Sequence, residues 1–135
     1  MTDSAQFNLA KIEEHWKQWA IAHGTSLRAT TKNKTAKELE LNALARAMTR
    51  HGVSARASVL EVGCGNGLNC LELARLHADW RLDGFDFVAE MGAAAEENRR
   101  NSPCPERLSF RRGNVLELAR IEGLRPAYAA VFPDR

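Results

Sequence analysis

Apolar residues recur at three- and four-residue steps along the first fifty positions, and this spacing predicts two helices. The first helix is predicted over about 7–22, and Gly24 ends it. A polar connector rich in Thr and Lys covers 25–34, and a second helix begins with a capping-box pattern and covers about 35–50. The two apolar stripes consist of Leu9, Ile12, Trp16, Trp19 and Ala20, and of Leu41, Leu44, Ala45 and Met48. Because both tryptophans belong to the first stripe, we interpret them as core or interface aromatics rather than as groups that stack on a substrate.

From residue 53 onward, short apolar runs alternate with segments of helical spacing. The predicted strands cover 58–62, 80–87, 108–111 and 128–132, and the predicted helices cover 68–77, 88–98 and, as one short helix, 115–121. Strands that alternate with helices are joined by right-handed crossovers and therefore form a mainly parallel sheet. The pattern thus predicts an α/β fold of about four strands, preceded by two N-terminal helices.

Three alternating glycines follow the first predicted strand at once, in the run Val-Leu-Glu-Val-Gly-Cys-Gly-Asn-Gly over 59–67. Helical spacing begins directly afterwards, so the glycines lie at a strand-to-helix turn. Glycine at such a turn permits positive φ and lets a ligand approach the main chain without meeting a Cβ atom. The helix that follows presents N–H groups to an anionic group. The run therefore predicts a nucleotide-type ligand bound mainly by backbone.

Two ligands commonly occupy such a corner, a dinucleotide and S-adenosylmethionine. The dinucleotide fingerprint requires Gly-x-Gly-x-x-Gly, but Leu68 stands where its third glycine would be. Glu61, two residues before the first glycine, would also repel a pyrophosphate. A carboxylate at this place is compatible with a sulfonium or an amino group. An NAD-binding oxidoreductase domain is therefore the less favoured hypothesis.

The run over 59–67 resembles motif I of the class I, Rossmann-like S-adenosylmethionine-dependent methyltransferases, in which an apolar strand and an acidic residue precede Gly-x-Gly-x-Gly. Residues 82–86 resemble the end of the second strand in this family, and 110–115 resemble the segment that closes over adenine. His15-Trp16 and 25–30 are similar to the leader of one bacterial branch. The resemblance covers nearly the whole chain, with motif I its most specific part.

The resemblance implies S-adenosyl-L-methionine as the cofactor. Asp86 would accept hydrogen bonds from the ribose hydroxyls, in preference to Asp83, and Phe87 and Met91 would pack on adenine. Asn114 would accept a bond from the adenine amino group, where the family usually has an Asp. The predicted cofactor-binding residues are Glu61, Gly63, Cys64, Gly65, Asn66, Gly67, Asp86, Phe87, Met91, Asn114 and Val115. The residues assign no catalytic base and no metal ligand.

Structural alternatives remain for several of these positions. The glycine run would also suit a tight turn without a ligand, and Asp86 would also suit a solvated acid at the end of a strand. Asn114 is as well explained by a simple turn. Glu61 is expected either to support the glycine loop or to meet the positive end of the ligand.

Composition limits the other classes of function. The chain has 135 residues, 44% of them hydrophobic, which suits one domain with a real core. A net charge of +2 gives no support to a nucleic-acid partner. Three cysteines without a C-x-x-C pair favour neither a disulfide framework nor a zinc site, and they indicate a reducing, cytoplasmic environment. No apolar run approaches the roughly 20 residues that cross a membrane.

We therefore expect a helical leader or lid over 1–52 and a partial cofactor-binding domain over 53–135, packed as a single compact unit. The family's sheet usually has seven strands, so the chain is expected to be a fragment or a truncated product whose fourth strand leaves an edge for a homodimer. The expected activity is methyl transfer to an unidentified small molecule, and Arg28 or Lys32 would face an anionic acceptor. A degenerate, non-catalytic binding or oligomerisation module is the alternative.

Overall fold

The computed structural model describes the backbone of residues 2–26 and 34–133, and the side chains of 10–26 and 35–133. The connector positions 27–33, with the predicted substrate-facing Arg28 and Lys32, lie outside the described residues. The helices are α1 (Thr2–His23), α2 (Lys34–Arg50), α3 (Leu68–Leu76) and α4 (Ala89–Arg100). The strands are β1 (Ala57–Val62), β2 (Trp80–Asp86), β3 (Leu108–Arg112) and β4 (Ala130–Pro133). Short 3-10 helices cover Pro105–Arg107 and Val115–Arg120.

The four strands form one parallel sheet in the order β3-β2-β1-β4, which confirms the predicted α/β, Rossmann-like fold. The chain moves outward from β1 to β2 and β3, and then returns to the other side of β1 for β4. The strand order thus reverses at the end of β1, which is the place where open α/β sheets bind ligands. Val62, the last residue of β1, pairs with Phe85 of β2, so the carboxyl ends of the two strands lie side by side.

Alternating side chains of the strands build a core on each face of the sheet. One face packs under α3, and α2 covers α3 from outside with Ala45 and Met48 in the same core. Val59 and Leu82 on this face are completely buried. The other face carries Leu60 and Phe85. The boundary between a leader over 1–52 and a domain over 53–135 stays a prediction.

Helix α1 packs against α4. Ala20 of α1 is buried with Val88 and Met91, and Trp16 and Trp19 pack against the same cluster. The interpretation of the two tryptophans as core aromatics is confirmed by this packing.

The segment between β3 and β4 differs from its prediction. The helix expected at 115–121 is a 3-10 stretch interrupted at Glu117, where φ is −132° and ψ is 47°. The fourth strand begins at Ala130 instead of Tyr128, because the Tyr128 side chain is tied elsewhere: its hydroxyl donates to Asp83 Oδ2 at 2.7 Å. Burial, reinforced by this bond, raises the pKa of Tyr128 to about 12, so the phenol stays protonated as a donor.

Gly67 and Gly92 form a matched pair for testing this packing. Gly67 has a φ of +80°, and a Cβ added there would lie 2.5 Å from Phe110 Cζ. Gly92 lies inside α4, and an added Cβ would meet nothing within 4 Å. We expect Gly67→Ala to lower the free energy of unfolding by about 1–3 kcal/mol. We expect Gly92→Ala to raise it by about 0.5–1 kcal/mol, because alanine favours the helix. Urea unfolding measures both changes, and an unchanged stability of Gly67→Ala would contradict the packing described.

Candidate functional site

The glycine loop turns at the carboxyl ends of β1 and β2. Gly63, Gly65 and Gly67 have φ values of 72°, 55° and 80°, and no described residue other than glycine has a positive φ. The N–H groups of Gly63 and Cys64 both donate to Phe85 O, at 2.9 and 3.0 Å. The loop therefore begins as an extension of the β1–β2 ladder, and its left-handed positions suit only glycine without strain.

Asp86 joins the end of β2 to the middle of this loop. Its Oδ2 accepts from the Gly65 N–H at 2.9 Å, and its Oδ1 accepts from the Val88 N–H at 3.0 Å. Only 4% of the residue is exposed, so Asp86 is not a solvated surface acid. Because an ionised carboxylate can accept about four hydrogen bonds, it can hold the loop and serve a ligand together. The predicted ribose contact stays a prediction.

Asp83 lies apart from the glycine loop. Its Oδ2 is the acceptor for the Tyr128 hydroxyl and lies 3.5 Å from Arg125 Nε. The alternation of β2 places it on the opposite face of the sheet from α3. This placement supports the preference for Asp86 over Asp83 as the residue near a ligand.

Glu61 is completely buried beneath the loop. Its two oxygens accept from Asn69 Nδ2 at 2.7 Å and from Cys70 Sγ at 3.2 Å. Both partners belong to the first turn of α3, so the carboxylate fixes the start of this helix relative to β1. These contacts favour loop support as the role of Glu61, and contact with a ligand stays a prediction. Asn69 and Cys70 were not singled out in the sequence, where their only signal was their place one turn after the glycines.

The loop packs closely on one side and is open on the other. Cys64 lies over Gly84, where an added Cβ would be 2.7 Å from Cys64 Cβ, and only 2% of Cys64 is exposed. Phe110 packs against Gly67. At Gly63, by contrast, an added Cβ would meet nothing within 4 Å. The space at Gly63 is therefore where a ligand can contact the main chain.

Asn66 is completely buried and faces the end of α1. Its Nδ2 donates to Gly24 O at 3.1 Å and to Ser26 O at 2.6 Å. The side chain thus connects the loop to the N-terminal helix, and a contact of Asn66 with the cofactor stays a prediction.

The predicted adenine contacts occupy different surroundings. Met91 is 0% exposed, so in this conformation it packs between α1 and α4 and presents no surface to a ring. Phe87 is half-buried, and Val115 is 48% exposed. The Asn114 side chain accepts from the Leu116 N–H at 2.9 Å, which is the geometry of the turn alternative. Adenine contacts by these four residues stay predictions, and that of Met91 requires α1 to move.

The third strand ends beside the same corner. The Gly113 N–H donates to Asp86 O at 3.0 Å, and Arg112 Nε donates to Phe87 O at 3.3 Å. The ends of β1, β2 and β3 thus meet around Asp86. In the described ranges, no three His, Cys, Asp or Glu side chains are grouped as a metal site would require. None of the described helices has the length and apolar character needed to cross a membrane.

Residues 59–131 match the profile of a family described as a methyltransferase domain, and this match covers more than half of the chain. The chain belongs to this methyltransferase domain family. The matched range runs from β1 to β4 and includes the glycine loop, Asp86 and Asn114. No curated protein is similar enough in sequence to be counted as a relative.

Solved structures with the same fold are methyltransferases. A protein of Galdieria sulphuraria, described as a candidate sarcosine dimethylglycine methyltransferase, is 19% identical, with a TM-score of 0.61 over 70% of this chain and 34% of that one. Coclaurine N-methyltransferase, bound to N-methylheliamine and S-adenosylhomocysteine, is 17% identical, with a TM-score of 0.57 over 77% and 30%. YjhP of E. coli is 20% identical, with a TM-score of 0.53 over 70% and 36%. The chain thus spans about a third of the length of these structures.

The link from Asp86 to the loop can be tested by a change of one atom. In Asp86→Asn an NH₂ group faces the N–H of either Gly65 or Val88, so one hydrogen bond is replaced by two opposed donors. We expect the free energy of unfolding to fall by about 1–3 kcal/mol in urea titrations. The control is Asp79→Asn at an exposed position, which should stay within about 0.5 kcal/mol of the original protein. Equal stabilities of the two variants would contradict the role of Asp86 described.

Proposed function

We propose that this chain is the cofactor-binding portion of an S-adenosylmethionine-dependent methyltransferase. The observation that carries the proposal is the bond from the Gly65 N–H to the Asp86 carboxylate, which joins an open, left-handed glycine loop to the acid at the end of β2. Membership of the methyltransferase domain family supports it. So does the coclaurine N-methyltransferase of the same fold, which holds S-adenosylhomocysteine.

The residues of this corner fit the chemical groups of the cofactor. The open main chain at Gly63 suits the methionine and ribose portions, and the N-terminus of α3 suits a carboxylate, because helix N-termini attract anions. Asp86 suits a pair of hydroxyl groups. The bound cofactor supplies an electrophilic methyl group on a sulfonium. The contribution of this chain is to bind and orient that group for in-line attack and to exclude water.

A small molecule is the proposed methyl acceptor. Support comes from the coclaurine N-methyltransferase, whose structure contains N-methylheliamine. A cytoplasmic location is proposed as well, since Cys64, Cys70 and Cys104 are all free thiols. No residue of the chain is proposed as a general base, which methyl transfer needs only where the acceptor must lose a proton.

Calorimetric titration with S-adenosylhomocysteine tests the proposal. We expect the original chain to bind, and Gly65→Val to lose at least a hundredfold in affinity, about 2.7 kcal/mol or more, while it stays folded. The φ of Gly65 is +55°, and a branched side chain there would displace the loop.

The control for backbone strain is Gly52→Val. Gly52 has a φ of +94° but lies in the turn after α2, where an added Cβ meets nothing within 4 Å. We expect this variant to lose stability and to keep its affinity for S-adenosylhomocysteine. If a folded sample of the original chain binds NADH and not S-adenosylhomocysteine, the dinucleotide hypothesis replaces the proposal.

A non-catalytic module that dimerises through β4 is the second candidate function. Within the described sheet β4 pairs only with β1, and Val131 on it is 58% exposed. A free strand edge with an apolar side chain can pair with the same edge of a second copy. Sedimentation velocity over a range of concentrations should then show a dimer that Val131→Lys abolishes. A monomer at every concentration would contradict this candidate.

A further inference from the structure

Two asparagine side chains hold the last turn of the N-terminal helix. Asn66 Nδ2 donates to Gly24 O at 3.1 Å and to Ser26 O at 2.6 Å. Asn98 Nδ2, from α4, donates to Thr25 O at 3.2 Å and to Asn66 O at 3.0 Å. Three consecutive carbonyl groups after α1 are therefore bound by two amides, which we call the asparagine clamp (Asn66 and Asn98).

The chemistry of the partners fixes how both amides point. Every partner of the two Nδ2 atoms is a backbone carbonyl, which can only accept, so neither amide can be flipped without losing its bonds. The donors come at a cost to Asn66: its Oδ1 is buried and is the one buried side-chain oxygen or nitrogen in the described part of the chain without a partner. Such an atom costs about 1–3 kcal/mol. A side chain kept at that cost indicates that its two donated bonds matter.

The clamp acts on the glycine loop as well as on α1. The peptide group between Asn66 and Gly67 is held at both ends, because its carbonyl accepts from Asn98 and its N–H donates to Cys64 O at 2.9 Å. One residue earlier, the Gly65 N–H is held by Asp86. The same short loop is therefore bonded to β2, to α4 and to the end of α1.

The apolar contact between α1 and α4 does not replace the clamp. It fixes the helix bodies through the cluster around Ala20 and Met91, and Lys17 and Glu90 form an exposed ion pair at 4.0 Å. These contacts lie on the helices and none of them touches the glycine loop. Only the clamp connects the chain after His23 with that loop in the described structure.

We propose that Asn98 is a positioning residue for cofactor binding, which acts through Asn66 by holding the end of α1 against the glycine loop. This inference rests on the proposed function of the loop. The position of the leader and the affinity for the cofactor are then coupled, and the coupling is reciprocal. A cofactor bound in the loop slows the opening of Gly24–Ser26 by the same factor by which loss of the clamp weakens binding.

The test compares Asn98→Ala with Asn101→Ala. Asn101 is an exposed asparagine at the end of the same helix, outside the clamp. Alanine favours a helix, so Asn98→Ala is expected to stay folded. By calorimetry, Asn98→Ala should bind S-adenosylhomocysteine at least about fivefold more weakly, the lower end of typical coupling. Asn101→Ala should bind as the original chain does. Asn98→Gln, which keeps both amide donors, should bind more tightly than Asn98→Ala.

Hydrogen exchange supplies a readout that does not depend on the ligand. The amides of Gly24 and Ser26 donate to Ala20 O and His23 O. Without ligand, Asn98→Ala should speed exchange at both amides, and in the original chain S-adenosylhomocysteine should slow it. If the original chain binds and Asn98→Ala binds equally well, the clamp inference fails and the proposed function stands. If a folded original chain does not bind, the proposed function fails. Unchanged exchange in ligand-free Asn98→Ala overturns the clamp in either case.

Discussion

The carboxylate of Asp86 is the point on which the other parts of the site depend. Parallel strands end at one edge of a sheet, but nothing in the ladder itself dictates how the loops beyond that edge are arranged. Asp86 provides this arrangement, because its two oxygens accept N–H groups from the glycine loop and from the start of α4. A buried carboxylate is stable only with such donors. The requirement to satisfy it therefore brings Gly65 and Val88 to the same place.

A second buried carboxylate completes the frame on the other side of the loop. Glu61 binds Asn69 and Cys70 and so fixes α3, whose N-terminus faces the corner. The two acids grip the loop from the strands before and after it, while the loop itself offers mainly backbone. A site built in this way is organised before a ligand arrives. The binding of a flexible cofactor then needs little rearrangement of the protein.

Local pattern was sufficient for the sheet and the loop. The β1 run and the three glycines were predictable because burial and positive φ leave direct marks on the sequence, and the three strands that follow β1 were found within a few residues. The distortion at Glu117 and the late start of β4 were not predictable, since they depend on the Tyr128 hydroxyl reaching Asp83 across the sheet. Asn98 gave no signal at all. Its partner Thr25 is 73 residues away, and the bond is to a backbone carbonyl, which has no residue type to recognise.

The location of the ligand is the central claim, and a nitrogen–proton NMR titration with S-adenosylhomocysteine tests it most directly. The account predicts saturable shifts confined to the amides of 63–68, those around Asp86 and Val88, and those of Gly24 and Ser26. The amides of Gly52 and Gly92 should not move. Saturable shifts that spare the glycine loop, or no shifts with a folded sample, would contradict the account.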